Sequence, residues 1–156
     1  MNGPDPTTGN LPGARSRAPA VVDMEQVFDA RGLYELRSAL AAHASALGVI
    51  DEHVERLVIV AGELATNAIR HGGGTGRVRL WHDDASLYCR VSDDGPGMSD
   101  PNAGSVMPES TAVSGRGLWI CRSLARELLI EHGSRRRGLS VTAIIAVAYR
   151  STSAMD

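Results

Sequence analysis

Residues 63–74 read "ELATNAIRHGGG": a carboxylate, an amide four residues on, a basic edge at Arg70 and His71, and then three glycines. Four residues are about one helical turn, so on a helix Glu63 and Asn67 stack on one edge, with Arg70 or His71 one turn beyond. Working outward, Val54, Leu57, Val58, Ala61, Leu64, Ala65 and Ala68 recur at helical spacing and form an adjacent apolar stripe. Asp51 offers a start and the glycines after His71 a stop. The pattern predicts one helix that follows Asp51 and runs to His71, with one face in the core and polar groups stacked along its edge.

Upstream, Leu33, Leu36, Leu40 and Ala41 predict a helix over residues 30–47, ended by Gly48. The short apolar stretch over 20–28 predicts an edge strand, although its alternation is poor. Downstream, Val78 and Leu80, then Leu87, Cys89 and Val91, alternate on either side of "DDAS" and predict an antiparallel hairpin. The interval "SDDGPGMSDPNAGSVMPESTAVSGRG" is rich in Gly, Pro and Ser, and loops of that length inside a compact domain are usually functional or mobile. A helix is expected over 118–128, then a hairpin of "LLIEHG" and "LSVTAIIAVAY" through "SRRRG". This order gives an α+β fold, a two-layer sandwich with helices on one face of a mostly antiparallel sheet. Residues 1–19 bury too little apolar surface to order and are expected to form a disordered tail, followed by one domain over 20–150 and a frayed end over 151–156.

With 156 residues and 43% apolar content the chain can fill a single core. A net charge of -2 creates no broad field toward nucleic acid or an anionic membrane, and no segment approaches the ~20 apolar residues of a membrane span. The expectation is a cytoplasmic protein without nucleic-acid or membrane partners. All 16 basic residues are arginine. Without lysine there is no P-loop, no kinase of the type that uses a strand lysine, and no Schiff-base chemistry. Cys89 and Cys121 have no CxxC or Cys/His companions and read as small core residues.

Three short stretches admit both a structural and a functional reading. "DDGPGM", residues 93–98, has the composition of a turn. Equally, Asp93 at a strand end can accept a hydrogen bond from the exocyclic amine of adenine, while Gly95 and Gly97 let the backbone approach a flat purine. "SGRGL", residues 114–118, can be an N-cap with flexible neighbours, or a phosphate cradle of backbone N–H groups with Arg116 adding charge. Glu63 and Asn67 can be a solvated helix edge. They can also be a general base beside an amide oxygen suited to Mg²⁺, and the glycines at 72–74 read as a C-cap.

Taken in order, E-x-x-x-N on a helix, D-x-G-x-G after a strand, a long loop and G-x-G-L opening a helix resemble the N box and glycine boxes of the GHKL (Bergerat-fold) ATP-binding family. Asn67, Asp93, Gly95, Gly97, Gly115 and Gly117 stand at the matching positions. The resemblance implies ATP and Mg²⁺ as cofactors, with Asn67 as the metal ligand and residues 99–113 as an ATP lid. It also implies an ATP site drawn from Asn67, Arg70, His71, Asp93, Gly95, Gly97, Met98, Ser114, Gly115, Arg116, Gly117 and Leu118. "GELATNAIRHG" and "SGRGLWICRSLA" look most like the RsbW/SpoIIAB class of bacterial anti-sigma factors, which are serine/threonine kinases. That class implies Glu63 as catalytic base, a STAS-domain anti-anti-sigma protein and a sigma factor as partners, and a homodimer. A catalytically silent ATP/ADP-gated binder of the same fold is the alternative. The family's last box, often GT followed by apolar residues, reads "GLSV" here from Gly138, a departure at the threonine position, and Arg135–Arg137 stay unassigned. Trp81 and Trp119 are expected in the core or on a partner surface.

Overall fold

The computed structural model describes residues 22–96, 116–133 and 138–151. Strand β1 (Met24–Asp29) leads through a 3-10 turn (Ala30–Gly32) into helix α1 (Leu33–Ala46), and helix α2 (Asp51–His71) follows. Strands β2 (Thr75–His82) and β3 (Ser86–Asp93) form a hairpin, helix α3 (Arg116–Leu124) comes next, and strands β4 (Glu127–His132) and β5 (Leu139–Ala146) end the fold. The strands form a five-stranded antiparallel sheet in the order β1-β2-β3-β5-β4. The expected α+β sandwich is therefore what the chain forms.

Alternation in register puts Met24 and Phe28 of β1, Val78 and Leu80 of β2, Leu87, Cys89 and Val91 of β3, and Val141, Ala143 and Ile145 of β5 in one core. Leu36 and Leu40 from α1, and Leu57, Leu64 and Ala68 from α2, close that core from the helical layer. The other face of the sheet carries its own cluster: Trp81 stacks on Tyr88 with ring centroids 5.4 Å apart, and the Arg90 guanidinium lies over the indole. Among the described residues no helix is long and apolar enough to cross a membrane.

Three expectations are corrected. The first helix starts at Leu33, because Asp29 caps a 3-10 turn by accepting from the N–H groups of Arg31 and Gly32. The last helix is shorter than the expected 118–128: α3 ends at Leu124, and the Arg126 N–H already donates to Ile144 O at 2.8 Å. Glu127 and Leu128 thus belong to β4, since pairing with β5 outweighs any local preference for continuing the helix. On α2, Val58 is only half-buried, whereas Val60 is fully buried where α3 packs. Residues 99–113 and Arg135–Arg137 lie outside the described residues.

Candidate functional site

Helix α2 carries the site along its length. Glu63 and Asn67 are half-buried on the edge left beside the apolar stripe, as their spacing requires. Helix α3 is fixed to α2 by Leu118, 4% exposed, and by Cys121, whose thiol donates to Val60 O at 3.6 Å. This docking brings the first turn of α3 onto Glu63 and Asn67. A Cβ added at Gly117 would stand 2.7 Å from Glu63 Oε2, 3.6 Å from Asn67 Oδ1 and 3.7 Å from Asn67 Nδ2. Two oxygen-bearing side chains therefore meet the start of a helix, where backbone N–H groups lack intrahelical partners and the dipole is positive.

The third component is the end of β3. Asp93 Oδ1 accepts from the Gly95 N–H at 2.9 Å, and Gly95 O accepts from the Gly138 N–H at 2.7 Å. Gly138 has φ +82°, and a Cβ there would lie 2.8 Å from Asp93 O. Gly95 abuts the end of α2: a Cβ on it would stand 2.5 Å from Gly72 Cα and 2.9 Å from His71 O. Burial pushes the Asp93 carboxyl above the ordinary aspartate range and the charge of Asp94 adds to this, while the N–H groups of Gly95 and Leu139 and the charge of His71 act against it. Asp93 is thus a partly desolvated acceptor held from two sides.

Of the residues expected in the site, Glu63, Asn67 and Gly117 come together at one level of α2, and Asp93 and Gly95 sit at its C-terminal end. Arg116 is the exposed first residue of α3, while the Leu118 side chain lies in the core and leaves only its backbone N–H at the helix start. Arg70 and His71 both expose their side chains, and Arg70 makes no hydrogen bond or ion pair among the described residues. Gly97, Met98, Ser114 and Gly115 lie outside the described residues.

Sequence reasoning missed two residues here. Gly138 holds the end of β3 from β5, and its positive φ has no signal in "GLSV" once the family's threonine is missing. Arg37 of α1 lies over Gly62, where a Cβ would be 2.8 Å from its Nε, so a guanidinium stands next to the turn that carries Glu63. Only the packing of α1 on α2 reveals it.

The oxygen donors suit a hard cation. The Asn67 amide oxygen, beside the start of α3, matches a Mg²⁺ that takes its other ligands from phosphate and water. Asn67 would hold the metal, the start of α3 the phosphates, and Asp93 the base.

The family model for the histidine kinase-like ATPase domain matches residues 27–145. No curated protein matches the sequence. Among solved structures, a mycobacterial sensor histidine kinase, MprB, is similar at 16% identity and TM-score 0.52, covering 81% of this chain and 100% of that one. The catalytic domain of the histidine kinase ThkA is 15% identical, with TM-score 0.49 and coverage of 81% and 99%. The histidine kinase domain of the E. coli osmosensor EnvZ is 17% identical, with TM-score 0.45 and coverage of 84% and 94%. The likeness to MprB is one of fold.

Proposed function

Because the chain belongs to the histidine kinase-like ATPase family, whose domains bind ATP with Mg²⁺, we propose that it is an ATP-dependent serine/threonine protein kinase of the anti-sigma type. It phosphorylates a STAS-domain anti-anti-sigma protein and, when free of it, sequesters a sigma factor. The observation that carries this reading is the meeting of Glu63, Asn67 and Gly117: a candidate base and a candidate metal ligand, one helical turn apart, face the N-terminus of α3.

Mg·ATP supplies the γ-phosphoryl group and the charge that stabilises its transfer. Asp93 selects adenine by accepting from its amine, and would be repelled by the acceptor that guanine offers at that position. The first N–H groups of α3 receive phosphate oxygens. Glu63 takes the proton from the partner's serine or threonine hydroxyl as that oxygen bonds to phosphorus and ADP departs.

The test is incubation of the chain with purified STAS-domain proteins of its host and Mg·ATP. Phosphate should appear on serine or threonine, stable to acid and labile to alkali. Acid-labile phosphohistidine, or no transfer to any STAS protein, would overturn the substrate assignment, and equal affinity for ATP and GTP would overturn the nucleotide assignment.

A further inference from the structure

Gly72 closes the stretch "GELATNAIRHG" but carries no assigned role toward ATP, and as the residue after α2 it reads as an ordinary helix stop. Its backbone does not call for glycine: φ is -109° and ψ 19°, which any residue adopts. The next two residues are the ones with left-handed backbones, Gly73 at φ +90° and Gly74 at φ +89°, and both have open space where a Cβ would go. At Gly72 the reverse holds. The residue is buried, and a Cβ on it would run into Ala68 O and Asp93 Cγ and stand 2.6 Å from Asp93 Cβ. From the other side Gly95 closes on Gly72 Cα.

We infer that Gly72 is the positioning residue for adenine selection: its missing side chain seats the Asp93 carboxylate against the end of α2. This rests on the role given to Asp93 above. The consequence is that one helix holds both ends of the nucleotide. Asn67 and Gly72 are five residues apart on a rise of about 1.5 Å each, so α2 separates the proposed metal ligand from the residue that seats the base acceptor by roughly 7.5 Å along its axis. Widening the contact at Gly72 by one methyl group moves the acceptor relative to Asn67, and the nucleotide then cannot satisfy both.

Gly72→Ala and Gly73→Ala form the matched pair for a test. Both are expected to lower the melting temperature, the first by crowding and the second by backbone strain at positive φ. Only Gly72→Ala should also lower the preference for ATP over GTP, by about 10-fold or more, as expected when one hydrogen bond to a charged acceptor is lost. It should also shift the Asp93 carboxyl signal in a ¹³C-detected pH titration of the ligand-free protein. If Gly72→Ala does not fold, Gly95→Ala presses on the Gly72 backbone and His71 O from the other side, displaces the same end of α2 from Asp93 and should show the same loss of preference. Wild-type preference and titration in a folded Gly72→Ala or Gly95→Ala protein would overturn the inference. Asp93→Asn keeps the two failures apart. If it abolishes the preference while Gly72→Ala does not, only the positioning role falls. If it leaves the preference intact, the adenine role of Asp93 falls with it.

Discussion

Gly117 of α3 lies against the Glu63 carboxylate of α2, so that a Cβ at 117 would stand 2.7 Å from Glu63 Oε2. What such a Cβ meets is the far end of a flexible side chain, which can swing away. Gly117→Ala should therefore leave the melting temperature unchanged or raise it, since alanine favours a helix over glycine by up to about 1 kcal/mol. Phosphate transfer should fall, on the order of 10²-fold, because the proposed base is displaced from its position. Thermal melting and a partner-phosphorylation assay on the same preparation check both signs. A variant that transfers normally removes the 63–117 contact from the mechanism.

Asp93 links pH to both binding and stability, with opposite signs. In the role proposed for Asp93 the ionised carboxylate is the form that accepts from adenine, and burial raises this group above its ordinary value of 3.8. ATP affinity should thus begin to fall, on acidification, at a higher pH than an unperturbed carboxylate would give. For folding, the native chain binds this proton more tightly than the unfolded chain. The stabilising contribution is therefore full below 3.8 and is lost as pH rises through the raised value. Asp93→Asn removes that loss. At neutral pH it should melt no lower than the wild type while binding ATP about 10-fold more weakly or worse. Calorimetric titrations and melts between pH about 4 and 7 measure both, and a variant with lower stability and undiminished ATP affinity contradicts the assignment.

The cysteines should be inert in the folded chain. Burial pushes the Cys89 thiol up to about 12, and burial followed by the charges of Glu63 and Cys89 takes Cys121 to about 12. At pH about 8 the reactive thiolate is then roughly one part in ten thousand. Iodoacetamide followed by mass spectrometry should label neither residue in buffer and both in denaturant. Labelling of Cys121 without denaturant would mean that the seam between α2 and α3 opens, because its thiol is seated on Val60 O.

The layers of the fold were legible because local period and burial agree: the stripe between Asp51 and the glycines became α2, which takes in Asp51 itself and is capped by Ile50, and alternation around Leu80, Cys89 and Val91 placed one face of the sheet in the core. What was not legible depends on partners distant in sequence. Glu127 and Leu128 continue a helical pattern until β5 offers its edge, and Val60, off the predicted stripe, is fully buried on the helix against which the Cys121 thiol of α3 is seated. The same division runs through the site. Glu63, Asn67, Asp93, Gly95 and Gly117 stand out by spacing, whereas Gly72 and Gly138 matter through the space they leave around Asp93, and that space exists only when the end of β3 meets α2 and β5.

Glu63 and Asn67 share one edge of α2, and their substitutions should separate chemistry from binding. Glu63→Gln retains the length of the side chain and one carbonyl oxygen beside Gly117 but can no longer take a proton. ATP affinity should stay close to wild type, while transfer to the partner slows by about 10²-fold or more. Asn67→Ala removes the amide oxygen proposed for Mg²⁺, so both Mg·ATP affinity and transfer should fall. A nucleotide-gated binder that transfers no phosphate needs Asp93 and the start of α3 but has no use for a carboxylate at position 63. Equilibrium binding of Mg·ATP, together with single-turnover transfer to the STAS-domain partner, distinguishes the two. Normal transfer by Glu63→Gln would remove Glu63 as the base. Capture of a partner in an ATP-dependent manner by both wild type and Glu63→Gln, with no phosphate moved by either, would leave the gated binder as the function of this fold.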